Sequence, residues 1–250
     1  VERHWGDAYY GELYLDSVED LLGPRLSAME VEEIARVLGL GPGDRVLDLA
    51  CGHGRHARVL AGRVESLVGM DRSREYLRRA VRPPPPGPLP RRAGEREKAA
   101  LFVRGDVRAL PFREGAFDAA FSWYASLFMF DDPTNAACLA GLARVIRPGG
   151  RLLVHHANPA ALAARPLDAA RRTLPDGTLV EETSSFDART GVDRCTRRLV
   201  RPSGAALAGT AELRYYTLSE WGPLSRSAGL RITDATETPH DLAVLLEKPT

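Results

Sequence analysis

The chain has 250 residues, 44% of them hydrophobic and 27% charged, with a formal net charge of +1. That length buries one good core. The near-neutral charge supplies no global field for nucleic acid or an anionic surface, so neither is expected as a partner. No apolar run approaches the roughly 18 residues of a membrane span, and Cys51, Cys138 and Cys195 are odd in number and never in C-x-x-C spacing. A disulfide framework and a cysteine zinc site are therefore not expected, and a reducing cytoplasm is the default.

The first residues, VERHWGDAYY, carry charges and aromatics and lack a signal peptide's apolar core. Residues 31–38 have helical spacing and stop at Gly39; GPGD over 41–44 is a turn. Residues 46–50 are apolar and too short for a helix, which predicts a buried strand. A helix follows over 55–60, a second strand over 67–70, and a helix over 74–81 that Ser73 caps. PPPPGPLPRR, 83–92, fits neither helix nor central strand and reads as a polyproline-like surface loop. Strands three and four are expected over 101–103 and 117–121. A helix capped by Asp132, with Pro133 at its first position, leads through RPGG to strand five over 152–155.

Alternating strands and helices predict a parallel sheet covered on both faces. The pattern then changes. Segments 178–186, 194–200 and 211–216 read as three hairpin-linked strands, hence an antiparallel β cap over 173–217 inserted after strand five. A helix over 219–228, which Gly222-Pro223 should kink or restart, precedes a closing hairpin of 230–236 and 242–247. The fold class is a Rossmann-like, doubly wound α/β sheet closed by an antiparallel hairpin. Residues 1–172 and 218–250 would form the main domain.

Three strands end in acids on the edge where open parallel sheets bind ligands: Asp48, Asp71 and Asp106. After Asp48 comes Ala50-Cys51-Gly52-His53-Gly54, a turn whose glycines let backbone approach a ligand closely. Asp71 lies about 20 residues past the glycines, where an acid takes ribose hydroxyls. That position serves nicotinamide cofactors equally. The third glycine of G-x-G-x-x-G is missing, which disfavours a pyrophosphate cradle. His53 and His56 lack a third nearby ligand for zinc, and Cys51 reads as a packing residue.

RVLDLACGHGRHA, SLVGMD and ALFVRGD together resemble the class I S-adenosylmethionine-dependent methyltransferases, small-molecule type, over about 28–159. The resemblance implies S-adenosylmethionine as cofactor. Asp48, Ala50, Cys51, Gly52, Gly54 and His56 would hold its methionine part, with Asp71 and Arg72 at the ribose. Asp106 and Val107 would meet the adenine, and Ser122 and Trp123 at the end of strand four would line the pocket. Family members that methylate nucleic-acid bases usually carry acid/Asn-Pro-Pro-aromatic there; SWYAS departs from it. A small-molecule acceptor, methylated on N or O, is implied. Tyr10, Tyr14, Tyr124, Arg214 and Tyr216 are the candidate acceptor residues. The WGDAYYGELYL segment, 5–15, resembles the family's aromatic lid and reads equally as an N-terminal helix with an aromatic core face. His155 and His156 end strand five, and alternation should bring only one of them to the pocket as a base. Two other readings stay open: an NAD(P)-dependent reductase, and a cofactor-binding protein without transfer activity.

Overall fold

The computed structural model describes residues 9–18, 21–82, 99–124 and 127–250; the proline-rich segment 83–92 lies outside them. The backbone alternates as the apolar pattern requires. Helices α1 (Glu12–Val18) and α2 (Pro24–Leu38) precede β1 (Arg45–Leu49), α3 (Arg55–Leu60), β2 (Ser66–Asp71), α4 (Arg74–Ala80), β3 (Leu101–Arg104) and β4 (Phe117–Ser122). Then come α5 (Asp132–Val145), β5 (Ile146–Ala157), α6 (Pro159–Ala164), β6 (Leu167–Thr173), β7 (Leu179–Asp187), β8 (Val192–Val200) and β9 (Ala206–Arg214). Helix α7 (Leu218–Ser227) and strands β10 (Arg231–Glu237) and β11 (Asp241–Glu247) close the chain.

Seven strands form one sheet in the order β10-β11-β5-β4-β1-β2-β3. The five from β3 to β5 run parallel, and β10 and β11 are antiparallel. Neighbouring side chains on a strand feed opposite faces. Leu47, Leu49, Leu152 and Val154 pack with α5 and Trp221 of α7 in one core. Val46, Phe121 and Leu153 pack with Val31, Ile34 and Leu38 of α2 and Leu60 of α3 in the other. Burial on both faces is why these strands read as unbroken apolar runs. Strand order reverses between β1 and β4, so a crevice opens beyond their carboxyl ends.

Four strands, β6-β7-β8-β9, make a second, wholly antiparallel sheet. It begins at Leu167, one strand earlier than the sequence suggests. Six of the seven β6 residues are exposed, so no alternation of polarity marks that strand. Helix α1 lies on this sheet, with Tyr9 and Leu13 in a small core with Val180, Cys195, Leu199 and Ala211. Arg201 ties the helix down through Glu12 and Asp16, both at 2.8 Å.

Two local expectations are corrected. The α5 cap is Asp131, which accepts the Thr134 N–H at 3.0 Å, because that amide lies three residues on. Asp132 turns instead to Arg214 and the Tyr216 hydroxyl. Helix α7 runs as one ten-residue element through Gly222-Pro223. Its Thr217–Glu220 capping box fixes the first turn, and Pro223 removes a single carbonyl's partner near the start.

Candidate active site

The crevice is a cavity of about 690 Å³, within the range of roughly 300–1,000 Å³ usual for small-molecule sites. One wall comes from the loops after β1, β2, β3 and β4. The other comes from α1 and the inner face of β7 and β8.

The β1 loop is held by backbone geometry. Ala50, Gly52 and Gly54 all lie at positive φ, +56°, +57° and +75°. Ala50 is strained there, as a non-glycine residue is. At Gly54 a Cβ would also meet the Phe102 ring at 2.7 Å. Gly54→Ala is therefore expected to cost about 1–3 kcal/mol in stability, read from the urea midpoint; an unchanged midpoint contradicts the tight seat.

The Asp71 carboxylate closes the loop. It accepts the Gly52 N–H at 2.8 Å and the Ser73 N–H at 2.7 Å, tying the β1 loop to the start of α4. Burial nevertheless raises its pKa, against these two amides.

Asp48 is 2% exposed, and burial pushes its carboxyl up to about 8 even with Arg55 opposing. Its Oδ2 has no hydrogen-bond partner among the described residues. Arg55 also lines the cavity, and its Nη2 is likewise buried without a partner among the described residues. Its other terminal nitrogen pairs with Glu30 on α2. Glu30 also meets His56 Nε2 at 2.8 Å and accepts the Tyr124 hydroxyl at 2.5 Å, while Arg55 Nη1 also donates to Ser27 Oγ at 3.3 Å. Burial alone would raise the Glu30 carboxyl, but hydrogen bonds from His56, Arg55 and Tyr124 bring it down to about 2. Glu30 thus fixes the loops after β1 and β4 in one stroke. Its sequence signal is an acid on the buried stripe Ser27, Glu30, Val31, Ile34, Leu38 of α2.

Asp106 and Val107 line the cavity after β3. Asp106 forms an Asx turn with the Arg108 N–H at 3.0 Å, and Arg108 holds its two oxygens at 3.0 and 2.6 Å. Hydrogen bonds from Arg108 keep its carboxyl below the usual range. Arg72 reaches toward it at 4.0 Å. Ala50, Cys51, Gly52, His56, Arg72, Trp123, Tyr10, Tyr14 and Tyr124 all reach the cavity wall.

Six expected residues do not. Gly54 packs under Phe102, and Ser122 is fully buried behind the wall. His155 stacks flat on Trp123, centroids 4.1 Å apart, and lines a separate groove of about 150 Å³ that shares Trp123 and Asp241 with the cavity. His156 is fully buried: Trp221 Nε1 donates to its Nε2 at 3.0 Å, and its Nδ1–H is 2.8 Å from the Ala157 carbonyl. Burial lowers its pKa to about 4, so it is a neutral core histidine, not a base. Arg214 is spent on Asp132, Glu220 and its neighbour's carbonyl. Tyr216 donates its hydroxyl hydrogen bond to Asp132 at 2.7 Å. Between them it is Tyr215 that reaches the cavity. Glu182, Ser184, Asp193, Cys195 and Arg197 of β7 and β8 join it there, all unanticipated.

Residues 46–150 match the family model described as "Methyltransferase domain". Residues 46–150 are a methyltransferase domain, set in the fold of S-adenosylmethionine-dependent methyltransferases. Over 160 residues it is 31% identical to 2-methyl-6-phytyl-1,4-hydroquinone methyltransferase of Synechocystis, an alignment covering 62% of this chain and 46% of that one. The chain thus spans about half the length of this curated relative. Its fold matches that of the CcbJ methyltransferase from Streptomyces caelestis at a TM-score of 0.77, with 19% identity over 98% and 99% of the two chains. The sugar N-methyltransferase KedS8 from Streptoalloteichus is similar at a TM-score of 0.65, with 17% identity over 91% and 87%. In this methyltransferase fold the second sheet stands over the carboxyl ends of the parallel strands, where it supplies the cavity's second wall.

Proposed function

We propose that this protein transfers the methyl group of S-adenosylmethionine to a nitrogen or oxygen of a small-molecule acceptor. The observation that carries this reading is the pair of buried polar atoms at one cavity wall that have no partner among the described residues, Asp48 Oδ2 and Arg55 Nη2. Leaving such atoms unpaired is costly. An amino-acid head, ammonium on one side and carboxylate on the other, satisfies both. A nicotinamide dinucleotide carries no such head. When bound, S-adenosylmethionine supplies an electrophilic methyl on a positively charged sulfur.

The chain's own work is placement. Asp48 and Arg55 hold the amino-acid head. Asp71, already squared by two amides, keeps lone pairs for a ribose diol. Asp106 and Val107 offer a carboxylate and a backbone amide to the adenine edge. Trp123 and Tyr124 present electron-rich rings, which stabilise nearby positive charge by about 0.5–2 kcal/mol. Helix α1 and the second sheet cover the cavity and exclude water. The relatives' printed activities, on a hydroquinone and on a sugar amine, support a small acceptor. The near-neutral charge and three free, buried thiols favour a cytoplasmic enzyme that does not act on nucleic acid. Among the described residues no helix is long and apolar enough to cross a membrane.

Calorimetry with S-adenosylhomocysteine and, separately, NADPH tests the reading: saturable binding of the first and none of the second is expected. Asp71→Ala should weaken S-adenosylhomocysteine binding by about 1–3 kcal/mol. Equal affinity in that variant removes Asp71 from the site, and tight NADPH binding overturns the assignment.

A further inference from the structure

The cavity's second wall carries an unbalanced charge. Glu182 and Arg197 sit opposite each other in the β7–β8 register and form an ion pair. Arg197 Nη1 donates to Ser17 Oγ at 2.9 Å, and the guanidinium lies over the Tyr9 and Tyr14 rings at 5.3 and 5.0 Å. Asp168 has Arg165 at 3.2 Å, and Asp241 has His155 at 3.6 Å. Among the described residues, Glu182 and Asp168 have arginine partners, while Asp241 is half-exposed to solvent beside a neutral His155; one buried acid on this wall has no cation. Asp193 on β8 is 6% exposed. It accepts the Ser184 hydroxyl at 2.6 Å and makes no ion pair among the described residues. Three tyrosines, Tyr10, Tyr14 and Tyr215, line the same region, with Tyr10 and Tyr14 centroids 5.4 Å apart. Burial raises all three phenols, so they remain neutral rings and donors.

A filled cavity strips water from every group in its wall. A carboxylate so enclosed needs a cation, since burial of an unpaired charge is the costliest arrangement available. An anionic acceptor adds repulsion, and a quinol or plain alcohol leaves the charge uncompensated. An amine supplies the missing cation, and neutral aromatic faces favour it further.

We propose that the acceptor is an amine and that Asp193 is the residue that receives its nitrogen. This rests on the methyl-transfer reading and narrows it. The acceptor's ammonium gives one proton to the Asp193 carboxylate. The freed nitrogen lone pair then forms the bond to the methyl carbon, while the carbon–sulfur bond breaks and its electron pair goes to sulfur. The methylated ammonium leaves, and Asp193 returns its proton to water. Burial raises the Asp193 carboxyl, against the Ser184 hydrogen bond, which makes it a better proton acceptor than a surface aspartate.

The test uses the full chain saturated with S-adenosylhomocysteine and titrated with matched probes: benzylamine, benzyl alcohol and benzoate, then glucosamine and glucose. Each amine should bind at least about tenfold more tightly than its alcohol, with no saturable binding of benzoate. Asp193→Asn should abolish the preference while S-adenosylhomocysteine affinity stays within about twofold. Amine and alcohol binding alike, absence of amine binding beside intact S-adenosylhomocysteine binding, or a preference that survives Asp193→Asn overturns the proposal. The wild-type comparison decides even when the variant misfolds. Failure of S-adenosylhomocysteine to bind the wild type is a different result: it removes the methyl-transfer reading and the amine with it.

Discussion

Asp48→Asn is expected to weaken S-adenosylhomocysteine binding by about 2–3 kcal/mol, roughly 30- to 150-fold, and at the same time to stabilise the ligand-free protein near pH 8. The two effects have opposite signs because one charge causes both. The folded-state pKa of Asp48, about 8, lies above its unfolded value. The native state therefore holds a proton that the unfolded state has released. Stability from this group is complete below the unfolded pKa of about 3.9 and is lost as pH rises toward about 8. Asparagine cannot ionise, so the variant keeps what the wild type loses over that window. Urea melts at pH 5 and pH 8, paired with calorimetry, read both effects. Loss of affinity with no change in the pH dependence of stability contradicts the burial that raises the Asp48 carboxyl.

Glu30→Ala is the second large effect. Removing one member of a buried charge cluster strands the others: Arg55 and His56 would face each other without the carboxylate that now separates them. The expected cost is about 3–5 kcal/mol, read from chemical denaturation. Ligand affinity should fall too, since Arg55 loses its anchor. Glu30→Gln keeps the shape and should recover part of the stability. The pH dependence runs opposite to that of Asp48. Its folded pKa, about 2, is depressed, so its contribution is present above the unfolded value of about 4.3 and fades as pH falls toward about 2. A Glu30→Ala protein as stable as wild type at pH 7 contradicts the role of this hub.

The parallel sheet was legible because both its faces are covered: β1, β2 and β4 are apolar runs, and each of the first three strands hands over to an acid. The antiparallel sheet was legible only where one face is buried. In β8 the pattern Asp193, Cys195, Arg197, Leu199 alternates with exposed residues, whereas β6 is exposed almost throughout and left no trace. The same period explains the errors at 214–216. Leu213 and Tyr215 face the cavity, so Arg214 and Tyr216 must point the other way. The histidines of β5 were placed correctly at a strand end but not in direction, because their partners, Trp123 and Trp221, come from elements distant in sequence. Glu30 and Arg55 escaped notice for a similar reason: their meaning lies in a contact between α2 and the first residue of α3, 25 residues apart.

A crystal structure of the S-adenosylhomocysteine complex tests most directly whether this crevice is the cofactor site. The ammonium should sit against Asp48 and the carboxylate against Arg55 Nη2, with the ribose diol on Asp71 and the adenine between Asp106 and Val107. A ligand bound elsewhere, or bound here with Asp48 and Arg55 left unpaired, contradicts it.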